Sequence, residues 1–290
     1  MLDNTLRFKK KAKPHEYAIA GLKYLILIAL SLFFLFPFFV LITRSLMTNK
    51  DVLTLPVMFF PSGFYFENYI KALDSQMIGY LGNTLIVVLC NIIGAPFTAA
   101  MSAFAFSKIN FRFRETVFAI VLATMMLPSV VTQIPLYVTY VRIGWINTLF
   151  PFTVTAFFGG GALNIFLIRQ FMRGIHREMT EAARIDGANL FMIFIRIVMP
   201  LCMPVITLIM VQTFMGVWND FMGPLMYLRD ERVYTLAIGV YSRFSGASGV
   251  DSLANVQSAV GVLMLLPCAV IFFIFQKALI EGVQIGAVKG

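Results

Sequence analysis

The residues of this chain that could do chemistry are few, and most of them stand in one segment. Glu178, Glu181, Arg184 and Asp186 follow one another at helical spacing between Arg177 and Arg196, and Asp220 stands alone in a long apolar run. Carboxylates and guanidinium groups so spaced can form ion pairs across a surface. They do not make a recognisable catalytic set. The two histidines, His15 and His176, are too few for an H-E-x-x-H zinc site, and the chain has no G-x-S-x-G nucleophile turn. It also lacks the G-x-x-x-x-G-K-[ST] loop, so it does not itself hydrolyse ATP. Cys90, Cys202 and Cys268 lie in apolar runs and read as small buried residues, without a disulfide or metal framework.

The segment needs particular elements to position it. Glu178–Asp186 is rich in helix formers, carries acidic residues in its early turns and stops at Gly187. This predicts a helix with its dipole complemented at the start and a glycine at C′. Asn189 offers an N-cap for a second helix, in which Phe191, Phe194 and Ile195 recur at i, i+3 and i+4. A short amphipathic helix, a sharp turn and a second helix re-entering an apolar environment at Pro200 make a rigid lever that a soluble partner can push. A helix lying flat in a membrane interface is the plainer alternative.

Composition supplies the environment. Of 290 residues, 59% are hydrophobic and only 13% charged, against about 25% charged in a soluble domain. So few charges cannot clothe a water-facing surface, and lipid must be the principal solvent. Long continuous apolar runs favour helices over the alternating strands of a barrel. Runs free of Asp, Glu, Lys and Arg cover 24–43, 75–107, 116–141, 143–168 and 252–276, and 197–228 is interrupted only by Asp220. Each reaches the roughly 20 residues that cross about 30 Å of hydrocarbon. An all-α membrane protein with six transmembrane helices is therefore expected: a basic tail at 1–20, a six-span domain at 21–282 holding the lever at 173–200, and a C-terminal tail at 283–290. Lys9–Lys11 before the first run resemble a signal peptide, but the run is span-length and lacks a cleavage site, so it reads as an uncleaved span. Grouping both tails with the loops at 107–115 and 169–196 collects 16 of the 23 Lys and Arg on one side, which places both termini in the cytoplasm. That asymmetry accounts for the net charge of +9 without a nucleic-acid partner. Prolines at 96, 128, 135, 224 and 267 and Gly159-Gly160-Gly161 break the spans, as moving parts or as ordinary kinks.

The lever resembles the EAA motif of binding-protein-dependent ABC importer permeases: EAA, three residues, G, nine residues, then I-x-L-P. Here Glu181-Ala182-Ala183, Gly187, Ile197 and Pro200 stand at that spacing, with Met199 in place of Leu. Phe166–Phe171, Phe214 through Trp218-Asn219-Asp220-Phe221, Pro224-Leu225 and Gly286–Gly290 resemble the carbohydrate branch, and specifically the smaller membrane subunit of maltose-type transporters. The resemblance implies a type I importer permease fold in a bacterial inner membrane, and a non-enzymatic subunit that forms half of the path for a sugar or oligosaccharide. It implies a second homologous permease, two ATPase subunits that carry ATP and Mg, an extracytoplasmic solute-binding protein, and no cofactor on this chain. It makes Glu181, Ala182, Ala183, Arg184, Asp186 and Gly187 the coupling helix that sits in an ATPase cleft, and gives Gly286 and Lys289 a tail contact with the ATPase pair. His176 stands where relatives often have Pro.

Asp220 has two candidate roles. It lines the solute route or gate with Trp218 and Asn219, or it is a hydrogen-bond acceptor between helices. Asn83, Gln133 and Asn164 share this ambiguity between path residue and interhelical bond, as do Asn91 and Gln212. The rivals to a sugar importer are a non-sugar importer and a secondary transporter or channel not driven by ATP. The latter expects several intramembrane charges.

Overall fold

The computed structural model describes residues 14–245 and 253–287, and among them every regular element is helical. The order is α1 (Pro14–Ser45), α2 (Asn49–Leu53), α3 (Glu67–Ala72), α4 (Ser75–Lys108), α5 (Arg114–Ala123), α6 (Ser129–Arg142), α7 (Phe150–Thr153), α8 (Ala162–Arg173), α9 (Arg177–Ile185) and α10 (Leu190–Ile193). A π-helical turn over Phe194–Val198 leads into α11 (Met199–Leu201), followed by α12 (Met203–Trp218), α13 (Met222–Tyr227), α14 (Leu236–Phe244) and α15 (Ala254–Ala287).

Four stretches are long and apolar enough to span a bilayer: Ala20–Ser45, Ser75–Lys108, Phe150–Arg173 and Ala254–Lys277. Two further spans are broken. Arg114–Met126 turns by 98° into Ser129–Arg142, and Leu190–Leu201 turns by 77° into Met203–Trp218. The first break falls at Leu127-Pro128, where proline bars the preceding residue from helical geometry. Counting each bent pair as one gives the six crossings expected from the charge-free runs.

Two boundaries differ from that expectation. The fourth charge-free run begins at Ile143 but its helix only at Phe150, past the short outer turn expected over 139–147, because Gly144 and Asn147 take left-handed φ of 71° and 61°. Apolar Ile143, Trp145 and Ile146 therefore belong to a loop. Its helix also continues past Ile168, carrying Arg169 inside the bundle at 5% exposure. A charge-free run marks where charges are absent, and it misses a charge that the fold satisfies internally.

α4 is the central post. Its 34 residues make a rod about 51 Å long at 1.5 Å per residue. Its C-terminal half presents Ala99, Ala100 and Ala103, fully buried, against Ile165, Ile168 and Met172 of α8 and Val205, Ile206 and Ile209 of α12. Small side chains let helices approach closely where lipid supplies no hydrophobic drive between them. Its N-terminal half, with Met77, Tyr80 and Val88, packs beside Phe214, Trp218, Leu236 and Val260. A buried polar knot ties α1, α3 and α15: Asn68 Nδ2 donates to the Ser45 and Met47 carbonyls, and Asn255 Nδ2 donates to Asn68 Oδ1. The outward surface of α1, including Leu25, Leu32 and Phe33, is apolar and exposed, as a lipid-facing helix must be.

The triple glycine shows why that break exists. Gly159, Gly160 and Gly161 all have positive φ, and a Cβ on Gly160 would collide with the Ala95 carbonyl and the Ala99 backbone of α4. Gly159 has open space around the same position. Gly159→Ala therefore carries strain of about 1–3 kcal/mol alone, whereas Gly160→Ala adds a collision with the post. Thermal melting of the purified protein checks this: Gly160→Ala is expected to lower the transition far more than Gly159→Ala.

Candidate functional site

The lever is built by a local code. α9 stops because Gly187, at φ 84°, reverses the chain. The Ala188 N–H donates to the Ala183 carbonyl at 2.9 Å and the Gly187 N–H to the Arg184 carbonyl at 3.0 Å. This is the paired bonding of a Schellman C-cap, with glycine at the position that tolerates left-handed backbone. Asn189 then accepts the Met192 N–H at 2.8 Å through Oδ1 and caps α10. Two caps two residues apart fix the angle between the helices.

One side of α9 is inward. Thr180 is buried and Ala183 packs against the core of α4 and α8. The other side is free: Glu181, Ala182, Arg184 and Asp186 are exposed, and Ile185 is 87% exposed. An isoleucine held in the open at the end of a rigid helix, ringed by charges, has the form of an anchor for a partner's pocket. Glu181 pairs with Arg177 at 2.8 Å one turn back. Both are exposed, so the pair contributes only a few tenths of a kcal/mol, as such helical pairs do. His176 is the exposed N-cap position and carries no side-chain capping bond. Between α9 and the α4–α5 turn runs an open groove of about 970 Å³ whose lining includes Lys108, Arg114, Arg173 and Arg184.

The support under this lever was not foreseen. Arg169, one helix earlier, donates Nε to the Phe106 carbonyl at 3.2 Å and NH2 to both Glu115 oxygens at 2.7 and 2.8 Å. Its guanidinium also lies 3.9 Å from the Phe118 ring centroid. A buried guanidinium must be paired and bonded to be tolerated, and here α4 and α5 share that work. Glu115 is more than half exposed, so solvent screens the pair and it stabilises far less than a fully buried bridge. Nearby, Lys108 Nζ donates to the Ile175 carbonyl at 2.9 Å and pins the α8–α9 corner to α4. The only sequence signal for Arg169 is a cation one residue past a charge-free run.

The other end of the post is polar too. Asn83 Nδ2 donates to the Arg232 and Tyr234 carbonyls, Gln76 to Glu231, and Asn147 Oδ1 accepts the Arg229 and Asp230 N–H groups. Hydrogen bonds from Arg232 hold the Asp230 carboxyl down at about 2, so this end keeps its charge throughout the neutral and mildly acidic range.

The deep polar residues separate in the structure. Trp218 is buried, stacks on Phe214 at 5.5 Å and donates Nε1–H to the Met264 carbonyl. Asn219 donates to the Met215 carbonyl and Asn164 to the Gly160 carbonyl, both within their own turns. Gln133 is half-buried on α6. Asp220 follows α12 instead of lying within it, and its Oδ1 accepts the Gly223 N–H. Its carboxylate lines a cavity of about 170 Å³ with Asn91, Thr84, Thr155 and Thr235. Thr235 Oγ1 is buried there with no bonding partner among the described residues. Asn91, midway along α4, donates to the Phe152 carbonyl across this cavity's wall. The structure thus brings Asp220 to Asn91 and leaves Asn83, Gln133 and Asn164 elsewhere. Gly286 falls in the last turn of α15, and Lys289 lies outside the described residues.

Known proteins share this architecture and this sequence. The melibiose/raffinose/stachyose import permease protein MelC of Bacillus subtilis (strain 168) is 30% identical over 259 residues, covering 88% of this chain and 91% of that one. The arabinooligosaccharides transport system permease protein AraQ of the same organism is 31% identical over 270 residues, covering 90% and 92%. The trehalose/maltose transport system permease protein MalG of Thermococcus litoralis is 26% identical over 270 residues, covering 91% and 94%. A chain of the crystal structure of a bacterial ABC transporter involved in alginate import superposes with a TM-score of 0.83 at 22% identity, over 92% of this chain and 98% of that one. At that identity it is the fold that is shared. Residues 94–285 match the family described as the binding-protein-dependent transport system inner membrane component, which takes in the lever, α12 and most of α15. The chain belongs to that family: it is a membrane-spanning permease subunit of an importer, and not an enzyme.

Proposed function

We propose that this chain forms half of the translocation path for a sugar or oligosaccharide, driven by ATP hydrolysed on partner subunits. A second, homologous permease completes the path, and two ATPase subunits holding ATP and Mg sit beneath it. A solute-binding protein delivers cargo to the end of the bundle around Asn83, Asn147 and Asp230. The observation that carries the reading is the exposed, doubly capped α9, with Ile185 and the Glu181–Asp186 charges presented outward from a fixed corner. Excess Lys and Arg on that side support its facing the cytoplasm, with both termini. In this arrangement α9 seats in a cleft of one ATPase, and closure of the ATPase pair moves it. The C-terminal tail, with Gly286 and Lys289, contacts the same pair.

The cargo class is supported by relatives named for melibiose, raffinose, stachyose and arabinooligosaccharides. A chain of the crystal structure of a bacterial alginate ABC transporter in complex with an alginate pentasaccharide-bound periplasmic protein shares the fold at 14% identity and a TM-score of 0.64. Asp220, with Asn91 and Thr235, is the proposed gate of the path: its carboxylate faces a cavity at mid-bundle, where hydroxyl-bearing solutes or water find acceptors. The alternatives are a non-sugar solute and a transporter that works without ATP.

Purification in mild detergent through a tag on this chain is expected to bring an ATPase with it. Glu181→Lys combined with Gly187→Pro is expected to release that ATPase and abolish uptake. Recovery of the chain without an ATPase, together with uptake that survives the double substitution, would refute the importer reading. Asp220→Asn keeps the shape of the cap on Gly223 and removes the charge, so it is expected to preserve assembly while changing uptake of raffinose, used as probe. Loss of assembly instead would make Asp220 a structural acceptor alone.

A further inference from the structure

We propose that Arg169 is a positioning residue through which displacement of α9 is delivered to the broken α5–α6 span. The inference rests on the coupling role given to α9 above, and adds to it the route by which the movement leaves the lever.

α9 and α8 behave as one body. Only Gly174, Ile175 and His176 separate them, and that corner is closed by the Gly174 N–H to the Phe171 carbonyl and the Ile175 N–H to the Met172 carbonyl. The Lys108 ammonium grips the Ile175 carbonyl from outside. A push on Ile185 is therefore not absorbed at the corner and must appear in α8.

Among the described residues, α8 grips the preceding span through a polar contact at Arg169. Arg169 closes a fork onto Glu115 in the first turn of α5 and lies over Phe118 one turn further on. These contacts act through one planar group, which cannot slide along its partners as an aliphatic surface can. The third contact, to the Phe106 carbonyl, holds the same guanidinium against the end of α4. Arg169 thus sets the angle between α8, α4 and α5 at one point.

The span it grips is made to bend. α5 gives way to a 98° turn at Leu127-Pro128, and beyond it Val130, Val131 and Ile134 of α6 are largely exposed. At its far end α6 is held by aromatic contacts, Tyr137 stacked on Tyr227 and Tyr140 set edge-on against it. A span fastened at both ends and broken in the middle converts a small rotation of α5 into a larger excursion at the break. The ion pair among these fastenings is the one at Arg169, while at the far end the Arg229 guanidinium donates to the Tyr137 hydroxyl at 2.8 Å.

Spin labels test this without knowing the cargo. The whole assembly is purified in nanodiscs through a tag on this chain, with native cysteines replaced and Val131→Cys on α6 and Ile93→Cys on α4. Both positions are exposed. Distances are compared in nucleotide-free and ATP–vanadate-trapped states. The parent is expected to show a nucleotide-dependent change. Glu115→Gln, which keeps an oxygen for the Arg169 guanidinium at an exposed position, is expected to keep the ATPase bound and hydrolysis within about twofold while shrinking that change about tenfold. Glu115→Asp, which keeps the carboxylate, is expected to recover part of it. A change undiminished in both Glu115→Gln and Arg169→Lys overturns the proposal, as does a parent that retains its ATPase but shows no change, or loss of assembly in Glu115→Gln. Failure of the parent to retain an ATPase refutes the coupling role of α9 itself.

Discussion

A guanidinium buried in an apolar bundle constrains everything that surrounds it. The buried guanidinium of Arg169 must be paired and hydrogen-bonded wherever the fold carries it. The bundle answers with a carbonyl at the end of α4, a carboxylate at the start of α5 and the face of an aromatic ring. Those contacts require the α4–α5 turn to lie under α8, and hence beside the corner from which α9 projects. The interaction is modest in energy because Glu115 is open to solvent, yet it is demanding in geometry. Its weight lies in position more than in stability.

Around that point the molecule divides by depth. α4 runs the full length, with polar attachments at both ends and small residues between. At one end are Lys108 and Arg169; at the other, Gln76 and Asn83 meet the loop that holds Glu231 and Arg232. Midway lies a cavity lined by the Asp220 carboxylate, which reaches it because α12 stops at Trp218. A straight helix from Pro200 would put Asp220 about 30 Å further along its axis. The 77° turn at Cys202 reorients the chain before α12, which then runs unbroken to Trp218, and the carboxylate beyond it lines the same cavity as Asn91. The exposed α9 at one end and a polar cavity at mid-bundle are thus joined by one long rod and one broken span.

What could be read beforehand follows the range of the forces involved. Gly187 and Asn189 were legible because capping is written within five residues of sequence, and both do what their positions required. Pro128 and the triple glycine announced breaks for the same local reason. The 98° angle was not legible, since it depends on what packs against each limb. Nor was the fork from Arg169 to Glu115, 54 residues apart, because a sequence shows a charge but not the partner that lets it be buried. Ile143 and Trp145 fall in a charge-free run, yet Gly144 and Asn147 turn the backbone there, within the short outer turn expected over 139–147. The π-helical turn at Phe194–Val198 had no counterpart in the sequence pattern.

The central claim is that α9 is the surface on which ATP does its work. A photo-crosslinking residue in place of Ile185, 87% exposed on that helix, reads this directly in membranes that contain the whole assembly. The account predicts a crosslink to a nucleotide-binding subunit whose yield changes between the nucleotide-free and ATP–vanadate-trapped states. Crosslinks confined to lipid, or to this chain alone, with no dependence on nucleotide, would contradict it.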